Sequence, residues 1–109
     1  QPAPVRSVTP SAAPADDPRI AEQLNEVREQ LNLLSIRMDT VKESLNRLRR
    51  QQEASGLGLR ADMTSSAQRM ECFYSQSESA LNRRDHNAAK KNLDLAEHEV
   101  SKLEKFLGL

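Results

Sequence analysis

Residues 20–48 read IAEQLNEVREQLNLLSIRMDTVKESLNRL, and their apolar members recur in alternating steps of four and three: Ile20, Leu24, Val27, Leu31, Leu34, Met38, Val41, Leu45 and Leu48. That period is one stripe of an α-helix. With Leu24, Leu31, Met38 and Leu45 at heptad position a, the other five fall at d, and the register holds for four heptads without a break. A stripe of this length has to be covered, and the rest of the chain says by what.

Proline and glycine mark the boundaries. All five prolines lie in the first 18 residues, and the three glycines are Gly56, Gly58 and Gly108. Residues 1–15, QPAPVRSVTPSAAPA, carry little apolar bulk and no PxxP spacing, which predicts an extended, disordered tether. The opening on Gln1 without Met suits a processed, exported chain, with the bacterial periplasm or envelope as the expected compartment.

The domain proper is expected over 16–109. Its first helix, about 17–54, opens with Asp17 as a cap and Pro18 at the first helical position. Two glycines in EASGLGL would cost a continuous helix about 2 kcal/mol, and the apolar register slips by one residue there. This predicts a turn; a kinked continuous rod is the alternative.

The second helix, about 60–84, has the seam Met63, Ala67, Met70, Tyr74, Ser77 and Leu81, whose small members let a neighbour come close. Asp85 is placed to cap the third helix, about 86–107, with the stripe Ala89, Leu93, Ala96, Val100, Leu103 and Leu107. Gly108 follows its last turn. The expected fold is all-α: a long heptad helix packed with a helical hairpin as a three-helix antiparallel coiled-coil bundle.

Flanking charges decide the pairing. A parallel pair of first helices would set Arg37 against Lys42, which is unfavourable. Beside the third helix, the basic flanks Arg28, Arg37, Lys42 and Arg49 meet Glu97, Glu99 and Glu104. The first helix is longer than the other two, at about 36 residues and roughly 54 Å. Aligned at the glycine turn, its N-terminal end should protrude. Ile20, Leu24, Val27 and Leu31 are therefore the candidate interface for self-association, and Leu at a with β-branched residues at d favours a trimer or tetramer over a dimer; the alternative is that Ile20, Leu24 and Val27 pack back onto the same chain or meet the tether.

Composition excludes more than it selects. Lys plus Arg equals Asp plus Glu at 16 each, and aromatics are 3% of the chain, so neither a basic footprint nor a stacking platform for nucleic acid exists. No apolar run approaches the roughly 20 residues that span a bilayer. His86 and His98 are more than three helical turns apart and cannot share one metal from one helix. No phosphate loop, zinc spacing or nucleophile–base–acid set occurs, so no catalytic residue, metal or cofactor is expected. The serines Ser75, Ser77 and Ser79 read as polar helix filler. Cys72 reads as a small half-buried residue, with an intermolecular bridge or a reactive thiol as the alternative.

ALNRRDHNAAKKNLDLAEHEV resembles the second helix of a tetratricopeptide repeat and the turn before it. Ala89, Leu93 and Ala96 match the small–bulky–small spacing of that helix, RRD stands in place of the Gly-Asp turn, and Phe73 and Ser77 fit the helix before. Gln76, Ala80 and Ser101 depart from the pattern. The likeness covers residues 70–103, a single repeat, with the heptad helix supplying the missing neighbour. A tether and heptad helix ahead of such a hairpin resemble exported bacterial coiled-coil proteins. The expected role is a non-enzymatic assembly module that self-associates. The alternative is an adaptor taking a partner's helix or peptide along the second and third helices.

Overall fold

A computed structural model describes residues 18–109. Three helices, α1 (Pro18–Ala54), α2 (Ala61–Asn82) and α3 (His86–Leu107), pack against one another as an all-α bundle. The proposed tether and the Asp17 cap lie outside the described residues.

All three helices end alike. At the end of α1 the Leu57 N–H donates to the Gln52 carbonyl (2.6 Å) and the Gly56 N–H to that of Glu53 (3.0 Å). The same crossed pair closes α2, from Asp85 to Ala80 and from Arg84 to Leu81, and α3, from Leu109 to Glu104 and from Gly108 to Lys105. This arrangement satisfies carbonyls that a helix end leaves without partners, and it needs one left-handed residue. Gly56 (φ 80°) and Gly108 (φ 75°) supply it in α1 and α3, and Arg84 (φ 59°) supplies it in α2. Chain reversal after Arg84 is then fixed by Asp85, whose carboxylate accepts from the Ala88 N–H at 3.1 Å. The helix break at Gly56 excludes the kinked rod.

The ion pairs, taken with the Ser77–Ala89 hydrogen bond and the residues that share clefts at either end, give the directions. Arg37 of α1 reaches Glu97 and Glu104 of α3, Lys42 of α1 reaches Glu71 of α2, and Arg69 of α2 reaches Glu99 of α3. Helix α2 runs antiparallel to both neighbours, and α1 and α3 run parallel. One continuous core fills the interior, from Leu24 through Leu45 on α1, Met63 to Leu81 on α2, and Ala89 to Leu103 on α3.

The small residues of α2 act as expected. Ser77 is fully buried, and its hydroxyl donates to the Ala89 carbonyl of α3 at 2.7 Å. A side chain of one carbon can bridge to a facing backbone only where two helices run close, and the fully buried Ala80, Ala89 and Ala96 leave room for that. Of the three alternating serines only Ser77 is buried; Ser75 and Ser79 are exposed, so the filler reading holds for those two alone.

The two linker glycines differ. Gly56 needs its positive φ, whereas Gly58 has ordinary backbone and no atom within 4 Å of where a Cβ would stand. Gly56→Ala should therefore cost about 1 kcal/mol. Gly58→Ala should raise stability by up to about 1 kcal/mol, through the unfolded chain. Urea unfolding of the two single variants measures both, with midpoint shifts of opposite sign as the expected result.

Candidate interaction surfaces

The residues proposed as an association site are already used. Leu24, Val27 and Leu31 are 3%, 2% and 3% exposed in the single chain, and Ile20 is half-buried against the same core. The predicted bare overhang is therefore not what the structure has. Its premise was that α2 starts level with the end of α1. Instead the linker doubles back, and Leu59 lies in one cleft with Leu45, Arg49 and Glu53 of α1. This carries α2 toward the start of α1, so that Ser79 and Asn82 come beside Arg28 and Asn32.

The charges that tie the helices together are concentrated in three places. The Arg37 guanidinium grips Glu104 with two hydrogen bonds (Nε–Oε2 3.0 Å, Nη2–Oε1 2.7 Å) and adds Glu97 (3.2 Å) and Ser101 (3.2 Å). This planar two-point grip is the geometry in which arginine outperforms lysine. The hydrogen bond from Arg37 holds the Glu104 carboxyl below the usual carboxylate range, against its partial burial. Lys42 pairs with Glu71 at 2.9 Å, across α1 and α2 instead of toward α3, and that hydrogen bond raises its pKa.

The third place escaped the sequence. Glu99, read as a flanking charge, is 6% exposed. Arg69 (3.3 Å) and Lys102 (3.5 Å) pair with it. Burial pushes its carboxyl up, but hydrogen bonds from Arg69 and Ser66 and the nearby cationic charges outweigh that and hold it low. Ser66, also absent from the predicted seam, is buried beside it and accepts from Arg69. The spacing gave one signal: Ser66 and Ser77 are three residues on from Met63 and from Tyr74, where an apolar stripe has a polar member.

What remains open at the surface is of two kinds. A cleft of about 650 Å³ runs between α1 and α2, with half-buried Leu59 and Ala67 over the buried Leu45 and Met70 and a rim of Lys42, Arg49, Glu53 and Glu71. It lies on α1–α2, not along the α2–α3 face proposed from the hairpin. The other kind is exposed apolar side chains: Leu33 (65%) and Ile36 (64%) on α1, and Leu57, Phe106 and Leu109 near the glycine linker and the end of α3. Phe106 also lies under the Arg60 guanidinium at 5.6 Å.

Among the described residues, no group of three His, Cys, Asp or Glu side chains could hold a metal ion. His98 is exposed and His86 half-buried. Cys72 is exposed, contrary to the half-buried placement, because it faces away from the seam that Met70, Phe73 and Ser77 define; its sulfur accepts from the Gln76 amide at 3.4 Å. No helix among the described residues is long and apolar enough to cross a membrane. Comparison with family models, curated proteins and solved structures finds no match to this chain.

Two outcomes follow from this geometry. Leu24→Glu with Val27→Glu puts two unpaired carboxylates into the single-chain core, and should cost several kcal/mol. Circular dichroism should record a large fall in thermal midpoint at any protein concentration. A midpoint that falls only where the protein is concentrated would return these residues to an intermolecular role.

The second concerns pH. Glu99 and Glu104 both have carboxyl pKa values lowered by folding. Their contribution is therefore fully present above the unfolded glutamate value of about 4.3, and is lost as pH falls through the lower folded values. Glu99→Gln should lose about 1 kcal/mol at pH 7 and converge on the parent chain near pH 2. Urea midpoints across pH 2–7 measure it.

Proposed function

We propose that this chain is a non-enzymatic protein-interaction module that takes an apolar helical segment of another protein in the α1–α2 cleft. The observation that supports it is the cleft itself: half-buried Leu59 and Ala67 over the buried Leu45 and Met70, inside a rim of both charge signs. Apolar floor with polar rim is the layout in which an amphipathic helix lays down its apolar face. Ala67 is small and half-buried, which leaves room at the middle of the floor.

The chain's strongest polar groups point the same way. Arg37, Glu104, Arg69 and Glu99 are engaged with one another across helix pairs, so they hold structure together and are not presented to a substrate. Self-association through Ile20, Leu24, Val27 and Leu31 would require α1 to leave the bundle and uncover a filled core, which makes the cleft the better-supported contact.

Phage-displayed helical peptides selected against the chain test the reading. Enriched sequences should carry an apolar stripe flanked by charges, and their affinity should fall at least about tenfold with Ala67→Arg, which fills the floor. Leu33→Ser, on the far side of α1, should leave their affinity unchanged. Selected peptides indifferent to Ala67→Arg would remove the cleft from the proposal.

A further inference from the structure

Three of the exposed large apolar side chains gather at one end of the bundle. Leu57 (62%), Phe106 (42%) and Leu109 (57%) stand where α1 and α3 finish and the linker turns back. Phe106 and Leu109 share a cleft with Leu48 and Gln51 of α1, and the Arg60 guanidinium lies over the Phe106 ring. Leu57 follows directly on the end of α1, between two glycines at which an added Cβ would meet no atom within 4 Å.

The same end is basic, in a chain whose net charge is zero. Residues 46–65 and 102–109 carry six cations, Arg47, Arg49, Arg50, Arg60, Lys102 and Lys105, against three carboxylates, Glu53, Asp62 and Glu104. Two of those carboxylates are engaged, Asp62 by Arg60 and Glu104 by Arg37, both at under 3 Å. Lys102 leans back on the buried Glu99. Arg50 and Lys105 make no ion pair among the described residues, and Arg47 has only a long one, 3.8 Å to Glu43. The helix ends are also suited to a drier medium. The carbonyls of Gln52, Glu53, Glu104 and Lys105 already accept from capping N–H groups, so acceptors that a helix end leaves to water are used here.

We infer that this end docks on an anionic lipid bilayer, with Leu57, Phe106 and Leu109 entering the headgroup layer and the cations around them meeting lipid phosphates. Apolar side chains flanked by lysine and arginine are the chemistry of an interfacial contact, in which burial and attraction to anionic lipid add. The three side chains project from an end of the bundle, which suits a deformable surface. No helix among the described residues is long and apolar enough to cross a membrane, so the contact is peripheral. Neither Leu59 nor Ala67 of the α1–α2 cleft takes part, so the two readings stand or fall separately. Three side chains and a few cations make the binding weak and reversible, with half the protein bound at roughly 1 mM lipid.

Co-sedimentation of the full chain with vesicles tests it, using phosphatidylcholine alone and phosphatidylcholine with about 30% phosphatidylglycerol. Binding should require the anionic lipid and weaken as salt is added. Leu57→Ser with Leu109→Ser should weaken it at least about tenfold. Arg50→Gln with Lys105→Gln should do the same. Helicity should be unchanged in both variants, since none of the four residues belongs to the core. Leu33→Ser with Ile36→Ser, equally exposed on α1, should bind as the parent chain does. The chain has no Trp, so Leu57→Trp gives a local probe. Its emission should shift to the blue on anionic vesicles, and that of Leu33→Trp should not. Inorganic phosphate should compete no better than chloride at the same ionic strength, because the ligand is the bilayer and not its headgroup charge alone. Absence of binding to anionic vesicles, equal binding to neutral ones, or indifference to the loss of Leu57 and Leu109 would overturn the inference. Tighter binding to an acidic amphipathic helical peptide than to vesicles would assign this end to a protein partner and overturn it too.

Discussion

The spacing between α2 and α3 is the constraint from which the rest follows. Ser77, Ala80, Ala89 and Ala96 are completely buried, and the Ser77 hydroxyl lies 2.7 Å from the Ala89 carbonyl. A larger residue at any of these places would push the hairpin apart, because packed interiors have no spare volume to absorb it. With α2 and α3 this close, their remaining large side chains, Met70, Leu81, Leu93, Val100 and Leu103, are directed to one side. That side is the surface on which the stripe of α1 lies. The long helix thus finds a preformed apolar groove and has no need of other copies of itself to cover Leu24 through Leu45.

Electrostatics then choose the placement within that groove. An apolar stripe with a seven-residue repeat can slide by a whole heptad and still bury leucine, so packing alone leaves the offset poorly specified. The two-point grip of Arg37 on Glu104 belongs to one offset only, and Glu97 and Ser101 extend it along α3. Lys42 on Glu71 fixes the same offset from the α2 side. Partly exposed pairs of this kind contribute little net stability, yet each is lost on a slip of one heptad. Glu99 differs, because it is buried between Arg69 and Lys102; removing its cationic partners would strand a carboxylate away from water.

How much of this was legible follows from the kind of signal each feature leaves. The α1 stripe, the Asp85 cap and the Gly108 ending were readable because each rests on local chemistry within a turn or two: periodicity, a short acceptor side chain, a residue free to take positive φ. Helix bounds fell within two residues for the same reason. The offset between helices was not readable, since it depends on how residues 55–60 fold back. Leu59 resting beside Leu45 is a tertiary contact with no periodic trace. That single displacement turned the proposed association residues Leu24 and Val27 into core. Arg84 at φ 59° was hidden in another way, because arginine rarely adopts that backbone and its sequence carries no mark of it. Glu99 shows the reverse failure: a charge is normally read as surface, and only the approach of Arg69 from another helix makes its burial tolerable.

The length of α1 is the remaining feature that packing against the hairpin does not use up. Its inner face is filled from Leu24 to Leu45, while its outer face is polar except where Leu33 and Ile36 interrupt it at mid-length. Isolated exposed apolar residues are ordinary on any protein. These two share one row with charges on either side, Glu22, Glu26 and Glu29 toward the N-terminus and Glu43, Arg47 and Arg50 toward the C-terminus. Glu followed four residues later by Lys or Arg stabilises a helix, and Glu43 with Arg47 makes one such pair. Here Glu22, Glu26 and Glu29 are stacked at three- and four-residue spacing and repel one another slightly, while Arg47 and Arg50 do the same beyond the apolar pair. Stacking of that kind costs the single helix a few tenths of a kcal/mol, and Glu43 followed by Arg47 four residues on returns part of it beyond the apolar pair.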